Sequence, residues 1–152
     1  MIATASLPTR EAVLAALVEV PDPEVPAISV VELGVVRDVE IDGGRITVVL
    51  TPTYSGCPAM HVIEADIVAG LAAHGVSPVH IETVFVPAWT SDWISSESKA
   101  KLEAYGIAAP GRASDEGGLV MLTRRAPVAC PYCKSINYCN DCLQPFEQFK
   151  AI

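Results

Sequence analysis

The chain has 152 residues, enough for one domain of ordinary size with a small appendage. Acidic residues number 18 against 10 basic ones, and the resulting net charge of −8 disfavours nucleic acid as a partner. The first residues have no signal-peptide pattern, and no segment is a long uncharged apolar run. We therefore expect a soluble cytoplasmic protein with no membrane partner.

The N-terminal region predicts an amphipathic helix followed by a stiff loop. Apolar residues recur at helical spacing from Thr9 to Val20, after Pro8 near the expected first turn. The sequence VPDPEVP then has three prolines within six residues, which excludes a helix interior. This loop carries two carboxylates, Asp22 and Glu24.

A β-hairpin is predicted from Val35 to Thr51, with Gly43-Gly44 as a two-residue turn. One face of such a hairpin is mostly apolar, as a half-buried sheet requires. The predicted register has three pairs on this face, Ile41 with Ile46, Val39 with Val48 and Arg37 with Leu50.

The rest of the main domain predicts two helices and a strand. The spacing of apolar residues gives a second helix over Pro58–His74, and the alternation in VHIETVFV gives a third strand. A third helix begins near Ser95 and ends at the turn Tyr105-Gly106. Trp89 and Trp93 are expected to pack in the core or at its edge, because aromatic side chains bury large areas, whereas an exposed pair would instead mark a docking surface.

The cysteines lie in two places, and they suggest a division of the chain. Four of the five form two C-x-x-C pairs near the C-terminus, which is a metal or redox pattern. A segment rich in Gly, Pro and Ser precedes them. We expect a main domain over 1–107, a linker over 108–118 that leads into a strand, and a cysteine tail over 119–152.

Cys57 is the strongest candidate for chemistry in the main domain. Gly56 is expected to allow a tight turn, and Pro58 suits the first position of a helix, so Cys57 should lie at or next to the N-cap. Backbone N–H groups and the helix dipole favour a thiolate there. A thiolate can bind a metal or attack an electrophile. The alternative is a cysteine that serves as a small buried apolar residue.

Three other side chains could assist Cys57. His61 lies four residues further on, hence on the same helical face, and could be a second ligand or a base, although a solvated role is more usual. Asp22 and Glu24 could supply carboxylate ligands, or they could only keep a proline-rich turn soluble.

The tail pairs Cys130/Cys133 and Cys139/Cys142 supply the four sulfur ligands of a tetrahedral zinc site or a rubredoxin-like iron site. Only the five residues KSINY separate the pairs, whereas two C-x-x-C metal-binding turns (knuckles) are usually separated by about 15–20 residues. Six residue steps span at most about 20 Å, so the tail can still fold back. Either a real deletion or a missing loop would explain the spacing. A redox dithiol is an alternative, but no thioredoxin-like βαβ context precedes Cys130.

The segments VPDPEVPAISVVELGVVRDVEI and TPTYSGCPAMHVIEADI resemble the MIP18 (DUF59) family, with its D-P-E loop and its cysteine at the second helix start. VPAWTSDWISSESKAKLEAYGIAAP and the cysteine tail narrow the resemblance to the branch that serves bacterial phenylacetyl-CoA epoxygenase systems. The resemblance implies an α/β (α+β) fold: a MIP18-like domain with a small three-stranded sheet and helices, plus a metal-binding tail of zinc-ribbon or rubredoxin type.

The resemblance also implies a function in iron–sulfur protein maturation, as a non-catalytic accessory protein. The partners implied are the di-iron oxygenase and the reductase, which carries flavin and a 2Fe–2S cluster. Cys57 matches the family cysteine expected to hold iron or a cluster transiently, and Asp22 and Glu24 match its acidic loop. The family's two knuckles are further apart, with another cysteine between them. The alternative is a scaffold whose tail holds structural zinc.

A single thiolate cannot hold a cluster alone. It must borrow ligands from a second chain, the tail or a small thiol, and a homodimer with two Cys57 thiolates is one such arrangement.

Overall fold

The computed structural model describes residues 8–111 and 129–134, together with the backbone of 147–148. The chain forms two compact units, Met1–Trp89 and Thr90–Ile152. This division lies earlier than the predicted end of the main domain at residue 107. Most of the predicted linker, and the strand predicted to lead into the cysteines, lie outside the described residues.

Helix α1 spans Arg10–Val18 and is confirmed as an amphipathic helix. Thr9 is its N-cap, and the Thr9 hydroxyl accepts a hydrogen bond of 3.2 Å from the Ala12 N–H. Pro8 therefore precedes the cap and is not part of the first turn. Through its buried face, the helix contacts the strand Val36–Asp42 and the helix Met60–Ala73. The buried residues of α1 are Val13, Ala16 and Leu17.

The predicted hairpin is formed by β1 (Val36–Asp42) and β2 (Arg45–Leu50), which pair antiparallel. Gly43 and Gly44 both have positive φ, 53° and 89°, as a type I′ turn requires. Two glycines adopt such angles without steric cost. The predicted pairs of Ile41 with Ile46 and of Val39 with Val48 are confirmed.

The predicted pairing of Arg37 with Leu50 is wrong. The register shifts between Val36 and Asp38, and Val36 lies opposite Leu50. Both paired residues are buried, whereas Arg37 is exposed. Without this bulge a charged side chain would face the fully buried Leu50, at a large desolvation cost.

Helix α2 (Met60–Ala73) connects β2 to β3 (Val79–Thr83), which pairs parallel with β2. The three strands form one sheet in the order β1-β2-β3. The apolar stripe predicted for α2 is confirmed, since Ile63, Ile67 and Leu71 are buried. The helix begins two residues later than predicted. Strand β3 ends at Thr83, earlier than predicted.

The first unit ends at a buried tryptophan. Trp89 is 4% exposed, and its indole N–H donates a hydrogen bond of 3.0 Å to the Leu33 carbonyl. The packing role predicted for Trp89 is therefore confirmed. A buried indole needs a partner for its N–H, and Leu33 supplies it.

In the second unit a 3-10 helix (Ser91–Trp93) precedes α3 (Ser96–Tyr105). Ser95 caps α3 and accepts a hydrogen bond of 3.1 Å from the Ser98 N–H, as predicted for this position. Strand β4 (Ile107–Ala108) pairs parallel with β5 (Glu147–Gln148). A segment close to the C-terminus of the sequence therefore pairs with the residues that follow α3.

None of the helices in the described ranges has the length and apolar character needed to cross a lipid bilayer.

Candidate functional site

Cys57 lies in the connection between β2 and α2. Strands β2 and β3 run parallel, so their C-terminal ends meet at one edge of the sheet, where the Val84 N–H donates to the Leu50 carbonyl at 2.8 Å. In α/β folds this edge is where ligands bind. Cys57 is half-buried and forms no disulfide. Its thiol is thus placed in a position suited to ligand binding.

Two short turns lead from the loop into α2. The Cys57 N–H donates to the Tyr54 carbonyl at 3.3 Å, and the Met60 N–H donates to the Cys57 carbonyl at 3.4 Å. The N-cap is Ala59, which makes no side-chain cap bond. Cys57 is therefore two residues before the cap, and Pro58 is not the first helical residue. Stabilisation of a thiolate by the helix dipole stays a prediction.

Gly56 is not required for the turn, and the prediction that it supplies backbone freedom is wrong. Its φ lies outside the left-handed region. A Cβ at this position would be 3.7 Å from Cε2 of Tyr54, an ordinary van der Waals contact. The Tyr54 ring therefore lies against Gly56, immediately before Cys57.

Tyr54 is a site residue that the sequence does not predict, and it connects the two predicted parts of the site. Its side chain is 52% exposed. Partial loss of solvent raises the pKa of the Tyr54 hydroxyl, and the negative charges of Cys57 and Glu24 raise it further. Both charged groups must therefore lie near this hydroxyl. The one sequence signal is an aromatic residue three positions before the cysteine.

Asp22 stabilises the acidic loop through hydrogen bonds to the loop's own backbone. It is 3% exposed, and its Oδ1 accepts hydrogen bonds from the N–H groups of Glu24 at 2.9 Å and Val25 at 2.8 Å. A buried carboxylate does not keep a loop soluble, so that interpretation fails for Asp22. Glu24, in contrast, is exposed. Asp22 holds the turn that presents Glu24 to solvent.

His61 lies exposed on the first turn of α2. Within the described part of the chain, no three His, Cys, Asp or Glu side chains come close enough to hold a metal ion. Cys57 and its neighbours therefore do not form a complete metal site by themselves.

The first cysteine pair of the tail forms a compact turn. Cys130 is fully buried and Cys133 is exposed. The Lys134 N–H donates to the Cys130 carbonyl at 2.9 Å, and Lys134 has a left-handed φ of 63°. Cys139 and Cys142 lie outside the described residues, so the four-cysteine site stays a prediction.

The known proteins similar to this chain have names that refer to iron–sulfur assembly or to an epoxidase. Residues 10–79, which include Asp22, Glu24 and Cys57, match a family model described as iron–sulfur cluster assembly protein. The chain is 33% identical, over 99% of its length, to an Escherichia coli protein assigned as the D component of 1,2-phenylacetyl-CoA epoxidase; 98% of that protein is covered.

Two further relatives each match about three fifths of this chain. The chain is 35% identical to an Fe–S protein maturation auxiliary factor of Porphyromonas gingivalis, over 63% of this chain and 92% of that protein. The crystal structure of a DUF59 domain from Bacillus anthracis aligns with a TM-score of 0.57 at 29% identity, over 61% of this chain and 90% of that one. The small α+β domain with its three-stranded sheet thus has the DUF59 fold.

Proposed function

We propose that this chain delivers iron or an iron–sulfur cluster to a phenylacetyl-CoA epoxidase in the cytoplasm. The chain belongs to the DUF59 (MIP18) family of iron–sulfur cluster assembly proteins, and to the branch of that family found in phenylacetyl-CoA epoxidase systems. Its clients are the oxygenase, the reductase or both. The observation that carries the proposal is the half-buried Cys57 thiol at the C-terminal edge of the parallel strands, within the region that matches the assembly family.

Incomplete ligation is what a donor of iron or clusters needs. Cys57 offers one thiolate, whereas clusters are usually held by four cysteine ligands. The described residues complete no three-ligand site around it. The cargo must therefore share its remaining ligands with another molecule, such as the client or a second copy of this chain. Shared ligands can be exchanged one at a time, which permits transfer.

Glu24 and Tyr54 favour a cationic cargo beside Cys57. The charges of Glu24 and Cys57 both act on the Tyr54 hydroxyl. A cation bound in this region would be attracted by both charges. Iron held by the Cys57 thiolate would be such a cation, with the exposed Glu24 as a further oxygen ligand. Asp22 would contribute by fixing the loop that carries Glu24.

The tail cysteines are proposed to hold a second metal permanently. Cys130, Cys133, Cys139 and Cys142 form a thiolate set that suits zinc or a single iron. Lys134 supports this proposal, because a left-handed non-glycine residue is strained by about 1–2 kcal/mol and persists where its surroundings impose it, as at ligand sites. A metal there would cross-link the tail, since structural metal sites contribute directly to folding.

Anaerobic reconstitution with ferrous iron and sulfide, followed by absorption spectroscopy and metal analysis, tests the proposal. We expect cluster absorption in the wild-type protein, its loss in Cys57→Ala, and its retention in Cys130→Ser, which should instead lose the tail metal. A protein that binds only one tail metal, with no cluster dependent on Cys57, would support the second candidate, a scaffold with a structural zinc tail.

A further inference from the structure

The loop that follows β3 carries apolar side chains that face solvent. Residues 85–88 of this loop are all apolar and all exposed. Phe85 is 53% exposed, and Val86, at 87%, is the most exposed of the large apolar side chains in the described residues. Single exposed apolar residues are ordinary on a protein surface, whereas contiguous ones are typical of sites where another protein binds. Phe85 and Val86, here termed the apolar pair, are therefore candidates for a docking surface.

Contacts before and after the apolar pair hold the loop in place. On one side, the Val84 N–H donates to the Leu50 carbonyl at 2.8 Å. On the other side, Trp89 is buried and its indole N–H donates to the Leu33 carbonyl at 3.0 Å. A loop that is held at both ends loses less conformational freedom on binding, and this lowers the cost of association.

The apolar pair lies at the same edge of the sheet as Cys57. Its loop leaves the C-terminal end of β3, and the loop that contains Cys57 leaves the C-terminal end of β2, the parallel neighbour of β3. Neighbouring strands lie about 4.8 Å apart, so the two loops start side by side. Tyr54, 52% exposed, adds an aromatic side chain to the Cys57 loop. A molecule that takes cargo from Cys57 must approach this edge, where the apolar pair is exposed.

Charge indicates what kind of molecule binds there. The two charges that act on the Tyr54 hydroxyl, those of Cys57 and the exposed Glu24, are both negative, and the whole chain has a net charge of −8. An interface with a second copy would join the same surface on both subunits and set each acidic region near its copy. Like charges across an interface oppose binding. The charge therefore favours a different protein, one with basic groups beside an apolar contact surface.

We propose that Phe85 and Val86 form the docking surface for the protein that receives the cargo of Cys57. The contact surface of this client is apolar where it meets the apolar pair and basic where it meets Glu24. This inference rests on the proposed function and adds the place where the client binds. Docking and transfer are then performed by different residues, because the apolar pair holds the client while Cys57 exchanges ligands with it.

Binding of the iron-free, full-length protein to the purified oxygenase and reductase components of the epoxidase, measured by biolayer interferometry, tests the inference. We expect Phe85→Ser to weaken binding to the client about tenfold or more, as the loss of a central aromatic contact does. Val86→Ser should weaken it about threefold or more. Val86 is so exposed that its replacement should leave the stability of the fold unchanged, which urea denaturation checks.

Val18→Ser is the matched control, because Val18 is an exposed valine, 47%, far from Cys57. It precedes Glu19, whose carboxylate lies 3.4 Å from the His74 ring at the C-terminal end of α2. Cys57 precedes the other end of this helix, which is about 21 Å long. Val18→Ser should bind the client like the wild type.

The charge argument has its own test. Glu24→Gln should slow association with the client and make the rate less dependent on salt, because an attraction between opposite charges is removed. Faster association of Glu24→Gln would contradict a basic partner surface. A wild-type dimer in analytical ultracentrifugation that Phe85→Ser dissociates would identify a second copy as the occupant and overturn the inference.

Transfer from reconstituted protein separates this inference from the proposed function. Phe85→Ser should keep the cluster absorption that depends on Cys57 but deliver its cargo more slowly to the client. A wild-type protein with no cluster dependent on Cys57 would refute the proposed function. A loaded protein whose client binding is unchanged by both Phe85→Ser and Val86→Ser, or that binds neither component, would overturn this inference alone.

Discussion

Replacing Asp22 tests whether this carboxylate is a ligand or a structural element of the acidic loop. Asp22→Ala removes two part-buried hydrogen bonds to a carboxylate, and hydrogen bonds to charged groups are each worth about 1.5–3 kcal/mol. Glu24 is exposed and Val25 half-exposed, so water can reach the freed N–H groups. This rehydration favours the lower end of the range. We expect a loss of about 3 kcal/mol in the free energy of unfolding, a large part of the stability of a small domain.

Equilibrium urea denaturation measures this loss, and Asp22→Asn is the matched control. The Asn amide keeps an acceptor oxygen at the same position, so its cost should be below about 1.5 kcal/mol. If Asp22 is structural, Asp22→Asn should also bind iron at Cys57 as the wild type does. The reasoning is refuted if Asp22→Ala unfolds with wild-type stability. A stable Asp22→Asn protein that no longer binds iron would instead identify Asp22 as a ligand.

The other predictions concern Cys57, Tyr54 and the Arg10–Asp38 ion pair. Cys57→Ala should abolish growth on phenylacetate while lowering stability by less than about 2 kcal/mol, because Cys57 is only half-buried; normal growth at equal protein level would exclude the carrier function. The same substitution should lower the pKa of Tyr54, because one of the charges that raise it is removed; ultraviolet titration against a Tyr54→Phe reference measures this. The Arg10 guanidinium, 2.7 Å from the Asp38 carboxylate, lowers the pKa of Asp38 below its ordinary value. A carboxylate whose pKa is lower in the folded protein than in the unfolded chain stabilises the fold at pH values above its unfolded pKa. This contribution is lost as the pH falls through its folded pKa. The stability difference between the wild type and Arg10→Gln should therefore be under about 1 kcal/mol near neutral pH and vanish in acid; a difference independent of pH would contradict this account.

Prediction from sequence is most accurate where local rules and burial agree. Gly43 and Gly44 determine the turn, and the alternation of apolar residues determines which faces pair, so most of the hairpin register is correct. The α2 stripe is correct for the same reason, because every buried position falls at helical spacing. Burial of Trp89 follows from its size.

The bulge at Arg37 could not be predicted from alternation alone. A strict period of two assigns Arg37 to the apolar face, and nothing local reveals one extra residue. The bulge is favourable because it places Val36, rather than Arg37, in a buried position opposite Leu50. Asp38, the next residue, pairs with Arg10 of α1, 28 positions away in sequence. Contacts of this range arise only when the helix packs on the sheet.

Asp22 and Tyr54 show the same limit at the candidate site. An acidic residue between prolines is typical of an exposed loop, yet Asp22 is buried. Its carboxylate accepts hydrogen bonds from two backbone N–H groups of the same turn. The nearness of Tyr54 to both Glu24 and Cys57 depends on how two loops from different parts of the chain meet. Sequence spacing contains no information on that distance.

On the proposed function, one chain handles metal in two opposite ways, and the difference follows from the number of thiolates. Four tail cysteines can close the coordination of a tetrahedral ion, and a closed thiolate site releases its metal slowly. Cys57, even if Glu24 adds an oxygen ligand, leaves most coordination positions of iron unfilled. A client that offers cysteines can therefore take the cargo by replacing one weak ligand at a time. Adding thiolates beside Cys57 should accordingly strengthen binding and slow delivery, so retention of the cargo and its transfer oppose each other at this site.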